Sequence, residues 1–144
     1  MEAFPHHYRV SAHLAGPDAD VVIDADRLPS LATAPPVEFD GPGDHWSPET
    51  LLTAAVCDCF VLGFKVIAAA SKLTWSKLDV NVTGTLDRVD RKMRFTQMTV
   101  AADLTVPAGQ ETRAPRILEK AEEACLVMNS LSAEVHLEKN VIVG

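Results

Sequence analysis

The stretch that decides the fold is Ser47-Pro48-Glu49-Thr50 followed by LLTAAVCDCFVLGFKVIAAA over Leu51–Ala70. Serine suits a helix N-cap, proline the first helical position and glutamate the first turn, so a helix opens at Pro48. From Leu51 to Ala70 the only charges are Asp58 and Lys65. A helix this apolar is a membrane span, a helix buried on all sides, or a subunit interface. A span puts Asp58 near mid-bilayer at roughly 2.5–3.5 kcal/mol, Lys65 adds to the cost, and the run is rich in alanine rather than leucine. No membrane partner is therefore expected. From Pro48 to about Ser71 the helix is about 36 Å long at roughly 1.5 Å per residue, more than one chain of 144 residues covers on every side. The expectation is an obligate homodimer in which the two helices help bury each other.

Upstream, Tyr8, Val10, Ala12 and Leu14 alternate with Arg9, Ser11 and His13, the period of a half-buried strand. Gly16-Pro17-Asp18 reads as a turn and Val21-Val22-Ile23 as a second strand. Pro29, Pro35 and Pro36 then exclude helix until a short extended piece at Val37 to Phe39. Downstream, Leu78 to Leu86 alternate as a strand. A polar loop at Asp87 to Arg91 joins it to another strand with Met98, Val100, Ala102, Leu104 and Val106 inward, an antiparallel hairpin. Thr112 is placed to cap an amphipathic helix carrying Ile117, Leu118, Ala121 and Cys125, with Glu119, Glu122 and Glu123 outward. After a capped turn at Asn129 to Ser132, Glu134 to Val143 alternates again, with Val135, Leu137, Val141 and Val143 as core candidates. Strands, long helix, hairpin, short helix and final strand make an α+β chain rather than a βαβ one.

Length and a composition of 47% apolar and 23% charged residues fit one globular domain over 1–144. Thirteen Lys+Arg against twenty Asp+Glu give a net charge of −7, and Arg91-Lys92 is the longest basic run. Nothing there matches a phosphate backbone, so no nucleic-acid partner is expected. Three cysteines are an odd number, and Met1 to His7 lacks the basic-then-apolar pattern of a secretory signal. The expected location is cytoplasmic, with reduced thiols.

Cys57-Asp58-Cys59 has the look of a redox or metal dipeptide. On a helix, however, residues two apart point about 200° from each other, so these thiols neither close a disulfide nor share a metal. His6, His7, His13, His45 and His136 show no zinc-site spacing near the cysteines, so no metal is expected, and nothing in the residues calls for a cofactor. His45 reads as a solvated or locally hydrogen-bonded loop side chain. Spacing leaves open whether Cys57 or Cys59 meets Cys125. Burial raises a thiol's pKa and Asp58 raises it further, so a reactive thiolate here requires a cation from elsewhere in the fold.

Two segments carry a family resemblance. Ser47-Pro48-Glu49-Thr50-Leu51-Leu52-x-Ala54-Ala55-x-x-x-Cys59-Phe60 resembles the start of the long central helix in the osmotically inducible protein C / organic hydroperoxide resistance (OsmC/Ohr) family. Ala121-Glu122-Glu123-Ala124-Cys125-Leu126-Val127-Met128-Asn129-Ser130 resembles that family's second segment, a short helix ending in the other cysteine and followed by asparagine. The resemblance implies an OsmC-like fold, antiparallel sheets packed around a long buried helix in an intertwined homodimer. It also implies an antioxidant thiol peroxidase without metal or flavin. Cys59 matches the peroxidatic thiolate, and Cys125 matches the resolving thiol, whose disulfide with Cys59 is opened by a dithiol reductant, lipoyl-type in several members. Phe60, Val61 and Phe64 beside Cys59 suit the alkyl group of an organic hydroperoxide. Glu49 matches a carboxylate that holds an arginine against the thiolate. Ten residues of helix put Glu49 about 15 Å from Cys59 along the axis, so either the helix starts later than its cap suggests, or Glu49 acts through an arginine or in the partner's site. Its other role is as a first-turn carboxylate complementing the helix dipole, at about 0.3–1 kcal/mol.

The family's arginine lies in the N-terminal hairpin, where this chain reads Ala15-Gly16-Pro17-Asp18-Ala19-Asp20 without a cation; Arg9 and Arg27 are the nearest substitutes. Leu126 and Met128 stand where proline and serine are common. The alternative is therefore a member without peroxidase activity that binds a small apolar or electrophilic ligand at the dimer interface.

Overall fold

The N-cap read at Ser47 is closed on both sides. The Thr50 amide donates to Ser47 Oγ at 3.1 Å and the Ser47 amide donates to Thr50 Oγ1 at 2.8 Å, a capping box built with threonine. Helix α1 then runs over Pro48–Ala70 as its sequence indicates. It ends where Lys72 takes a left-handed φ of 53°. The Lys72 amide donates to the Ala69 carbonyl and the Leu73 amide to the Ala68 carbonyl, a Schellman closure, while the Arg113 guanidinium donates to the Ser71 carbonyl. Burial differs from the all-round expectation. Val56, Phe60, Phe64 and Ala68, a stripe with a period of four, are buried, whereas Leu62 and Val66 are 53% and 70% exposed in the single chain.

The computed structural model describes all residues from Met1 to Gly144, and they divide into two compact units, Met1–Leu51 and Leu52–Gly144, where length suggests one domain. In the first unit, β1 (Ser11–His13), β2 (Val21–Asp24) and β3 (Leu31–Thr33) form an antiparallel sheet in that order. The strand expected from Tyr8 keeps only three residues, and Tyr8 is 90% exposed. Strand β3 lies between the prolines that exclude helix, and as an edge strand it needs no amide from Pro29 or Pro35. Val37–Phe39, expected to be extended, is a 3₁₀ turn. The Phe39 and Gly41 amides both donate to the Pro36 carbonyl, and a Cβ at Gly41 would lie 1.7 Å from the Pro35 carbonyl oxygen. No apolar side chain of this unit is buried; Thr33 and Ser47 are its buried residues.

In the second unit, β4 (Lys77–Val89) and β5 (Lys92–Val106) form a long antiparallel hairpin. The polar segment expected as a loop is continuous strand closed by Asp90-Arg91, both at positive φ, as the twist of a two-residue hairpin turn requires. Strand β6 (Glu134–Val143) pairs with β5 in parallel, so this sheet is mixed rather than wholly antiparallel. A parallel pair needs a crossover. Helices α2 (Ala114–Glu123) and α3 (Leu126–Asn129) fall in that crossover. The residue at the cap of α2 is Arg113 rather than Thr112. Met98, Val100, Ala102, Leu104 and Val106 are buried with the α1 stripe and with Ala114, Ile117, Leu118 and Ala121 of α2 in one apolar cluster. Val135, Leu137 and Val141 pack against it, whereas Val143 is exposed.

Gly84 on β4 permits the approach of α1. A Cβ there would stand 2.9 Å from Thr53 Oγ1 and 3.0 Å from the Phe95 ring. Gly84→Ala should therefore lower stability by about 1–3 kcal/mol through overpacking, more than the roughly 0.4–1 kcal/mol that alanine gains by restricting the unfolded chain. A melting temperature at or above wild type would refute the close approach.

Candidate active site

Helix α1 places Cys59 half-buried against the apolar cluster. Cys125 is 1% exposed. It does not end the amphipathic helix, because α2 stops at Glu123 with Ala124 as its cap, and Cys125, in an extended conformation, opens α3. Its amide donates to the Glu122 carbonyl at 3.1 Å, and its carbonyl accepts from the Asn129 amide at 2.9 Å. Asn129 Nδ2 donates to the Glu123 carbonyl at 3.2 Å, tying down the last turn of α2.

This arrangement puts the Cys125 thiol near enough to Cys59, in the same apolar cluster, for the two side chains to influence each other. Burial pushes the Cys125 thiol up to about 11. The Met128 amide opposes this, the Cys59 side chain adds to it by hydrogen bonding and by charge, and the Val127 amide opposes it again. No cationic side chain is among these influences. Cys57 points elsewhere, with its sulfur 3.8 Å from the Val80 carbonyl on β4. Burial, and then the Asp58 charge, raise its pKa. Of the two pairings that spacing leaves open, the fold brings Cys59 to Cys125.

Glu49 lies in the first turn of α1 with its Oε2 buried. The helix is continuous from Pro48, so a later helix start no longer accounts for its distance from Cys59. In the first unit, Arg9 is exposed and Arg27 faces Asp26 at 3.8 Å in solvent. The side chain that meets the Ala15–Asp20 segment is that of His45, a cation only when protonated. Its Nδ1 lies 2.6 Å from Asp44 and its Nε2 3.4 Å from Asp20. Its pKa is raised, first by the hydrogen bond to Asp44, so what this imidazolium contributes to stability is present at low pH and lost as pH rises through the raised value. His45 is thus a locally hydrogen-bonded loop side chain, one of the two readings of its sequence, and it also reaches Asp20. No three His, Cys, Asp or Glu side chains gather closely enough to hold a metal ion.

What sequence patterning missed is the surroundings of the thiols. The Val127 and Met128 amides at Cys125 depend on a four-residue helix too short to show a period, and the cap that Arg113 supplies comes from 42 residues beyond Ser71.

A model of the OsmC-like protein family matches residues 41–139. The chain is 27% identical over 92 residues to "Peroxiredoxin OsmC" of Escherichia coli (strain K12), a match covering 64% of each chain. Among solved structures it resembles an OsmC-like protein of unknown function from Vibrio cholerae, with a TM-score of 0.84 at 16% identity, covering 94% of this chain and 99% of the other. It also resembles an organic hydroperoxide resistance protein OsmC from Legionella pneumophila, with a TM-score of 0.74 at 22% identity, covering 98% of this chain and 100% of the other. The matched span takes in Glu49, Cys59 and Cys125, and the mixed three-stranded sheet with its long helix is the fold of these neighbours: the chain belongs to the OsmC-like protein family.

Proposed function

We propose that this protein is a thiol-dependent peroxidase that reduces organic hydroperoxides in an antioxidant stress response, with Cys59 attacking the peroxide and Cys125 resolving the product. The observation that carries this reading is the nearness of two thiols 66 residues apart, brought together at one apolar cluster. Family membership and the names of the relatives support it. The Cys59 thiolate attacks the O–O bond and becomes a sulfenic acid as the alcohol departs. The Cys125 sulfur then displaces the sulfenic oxygen as hydroxide and closes a disulfide. A dithiol, lipoyl-type in several members of the family, restores both thiols by exchange. Buried Phe60 and Phe64 and half-buried Val61 make the surroundings apolar, which favours an alkyl hydroperoxide over hydrogen peroxide.

Glu49 would hold a cation toward the thiolate, in its own chain through an intervening side chain or in the site of a partner subunit. The assembly proposed is a homodimer, supported by the exposed Leu62 and Val66 of α1 and by a first unit without buried apolar side chains. The proposed location is the cytosol, where all three thiols stay reduced. The helix is also long and apolar enough to cross a membrane; Asp58 and Lys65 within it argue against that use.

The second reading is a family member without peroxidase activity that binds a small apolar or electrophilic molecule in the same place. It draws on the Ala15–Asp20 segment, which lacks the arginine and meets His45 instead. Adding cumene hydroperoxide to the reduced protein separates the two. Mass spectrometry should find an intramolecular Cys59–Cys125 disulfide, and the absence of both disulfide and sulfenic acid would leave the binding role.

A further inference from the structure

From Leu51 to Ala70, helix α1 carries only two charges, Asp58 and Lys65. Seven positions apart, they point within about 20° of each other. Both are exposed, together with Leu62, Val66 and Ala69, on the face opposite the buried stripe. Neither makes an ion pair within its own chain. Charges on an apolar face lose their water when that face is covered, so whatever covers it has to bring an opposite charge to each. We infer that the cover is a second copy of this chain, its α1 antiparallel to the first about a two-fold axis between Val61 and Leu62. Asp58 of each copy then pairs with Lys65 of the other, a pairing that rests on the homodimer proposed above.

A two-fold axis allows two senses for such a helix pair. In the parallel sense each residue faces its own copy, so Asp58 opposes Asp58 and Lys65 opposes Lys65. In the antiparallel sense, residues on opposite sides of the axis and equally far from it face each other. The point midway between Asp58 and Lys65 falls between Val61 and Leu62, so an axis there sets two opposite-charge pairs symmetrically around the exposed Leu62. Like charges opposed in a covered face are strongly unfavourable, whereas opposite charges fix the register. The apolar centre of the face and its charges therefore agree on one axis. The same pairing sets a cation of the second copy against Cys57-Asp58-Cys59, where the Asp58 charge adds to the burial that raises the Cys57 thiol.

Reversing the charges one at a time and then together tests the pairing. Dissociation constants are measured by sedimentation for wild type, Asp58→Lys, Lys65→Asp and the double variant carrying both substitutions. Each single variant opposes like charges at both pairs and should dissociate at least about a hundredfold more readily, whereas the double variant restores opposite charges and should lie within about tenfold of wild type. An equimolar mixture of the two single variants should form a dimer that neither forms alone. By circular dichroism the mixture should also regain any helix that either variant has lost. Parallel helices oppose like charges in all four proteins, which would then associate alike. Single variants as tight as wild type, a double variant as weak as they are, or a mixture that stays monomeric overturns the antiparallel pairing while leaving the homodimer intact. A monomeric wild type overturns both and leaves the face to a membrane or to another protein.

Discussion

Cys59→Ser should reduce consumption of cumene hydroperoxide to the uncatalysed rate, because a serine hydroxyl supplies no thiolate and forms no sulfenic acid. Cys57→Ala should consume peroxide at the wild-type rate. The two cysteines stand two positions apart on α1, yet the Cys57 sulfur faces the Val80 carbonyl while Cys59 meets Cys125. The pair of variants therefore tests the helical geometry and the chemistry together. A coupled assay with a dithiol reductant measures turnover, and free-thiol counting after one equivalent of peroxide measures the end state. Wild type should lose two thiols and retain Cys57, and Cys59→Ser should retain both of its remaining thiols. Retained activity in Cys59→Ser, or its loss in Cys57→Ala, would refute the assignment.

Leu62→Glu combined with Val66→Glu should break the dimer. Each fully buried leucine or valine contributes about 1.5–3 kcal/mol, and a two-fold axis counts each substitution twice. Losing these contacts amounts to several kcal/mol, and at about 1.4 kcal/mol per tenfold change the dissociation constant should rise by at least about a thousandfold. Light scattering at micromolar concentration should show a dimer for wild type and a monomer for the double variant. Circular dichroism should show the variant losing helix, because α1 would then be buried only along Val56, Phe60, Phe64 and Ala68. A wild-type monomer with intact helix would refute the covered-face account.

Much of the site is legible in the chain because helices announce themselves locally. Ser47 and Pro48 begin α1 where their capping and φ preferences require, and a two-residue spacing on that helix already separates Cys57 from Cys59. Where the chain turns tightly, local patterning is weaker. Asp87 to Arg91 is polar and reads as loop, but cross-strand pairing carries β4 to Val89 and confines the reversal to Asp90-Arg91. Val37–Phe39 is apolar and reads as extended, but the Pro36 carbonyl gathers the amides that follow it into a turn.

By itself the sequence determined the long capped helix, the α+β order and the inward face of β5, because each follows from side-chain periodicity and capping within a few residues. Tertiary structure decided that Cys59 rather than Cys57 lies beside Cys125, which spacing left open and the family resemblance implied, that β6 runs parallel to β5, and that burial and the Met128 and Val127 amides act together on the Cys125 thiol. These features depend on where a crossover of two short helices returns the chain, and that return is selected by the burial of Ile117, Leu118, Ala121 and Cys125 against distant partners rather than by any local preference.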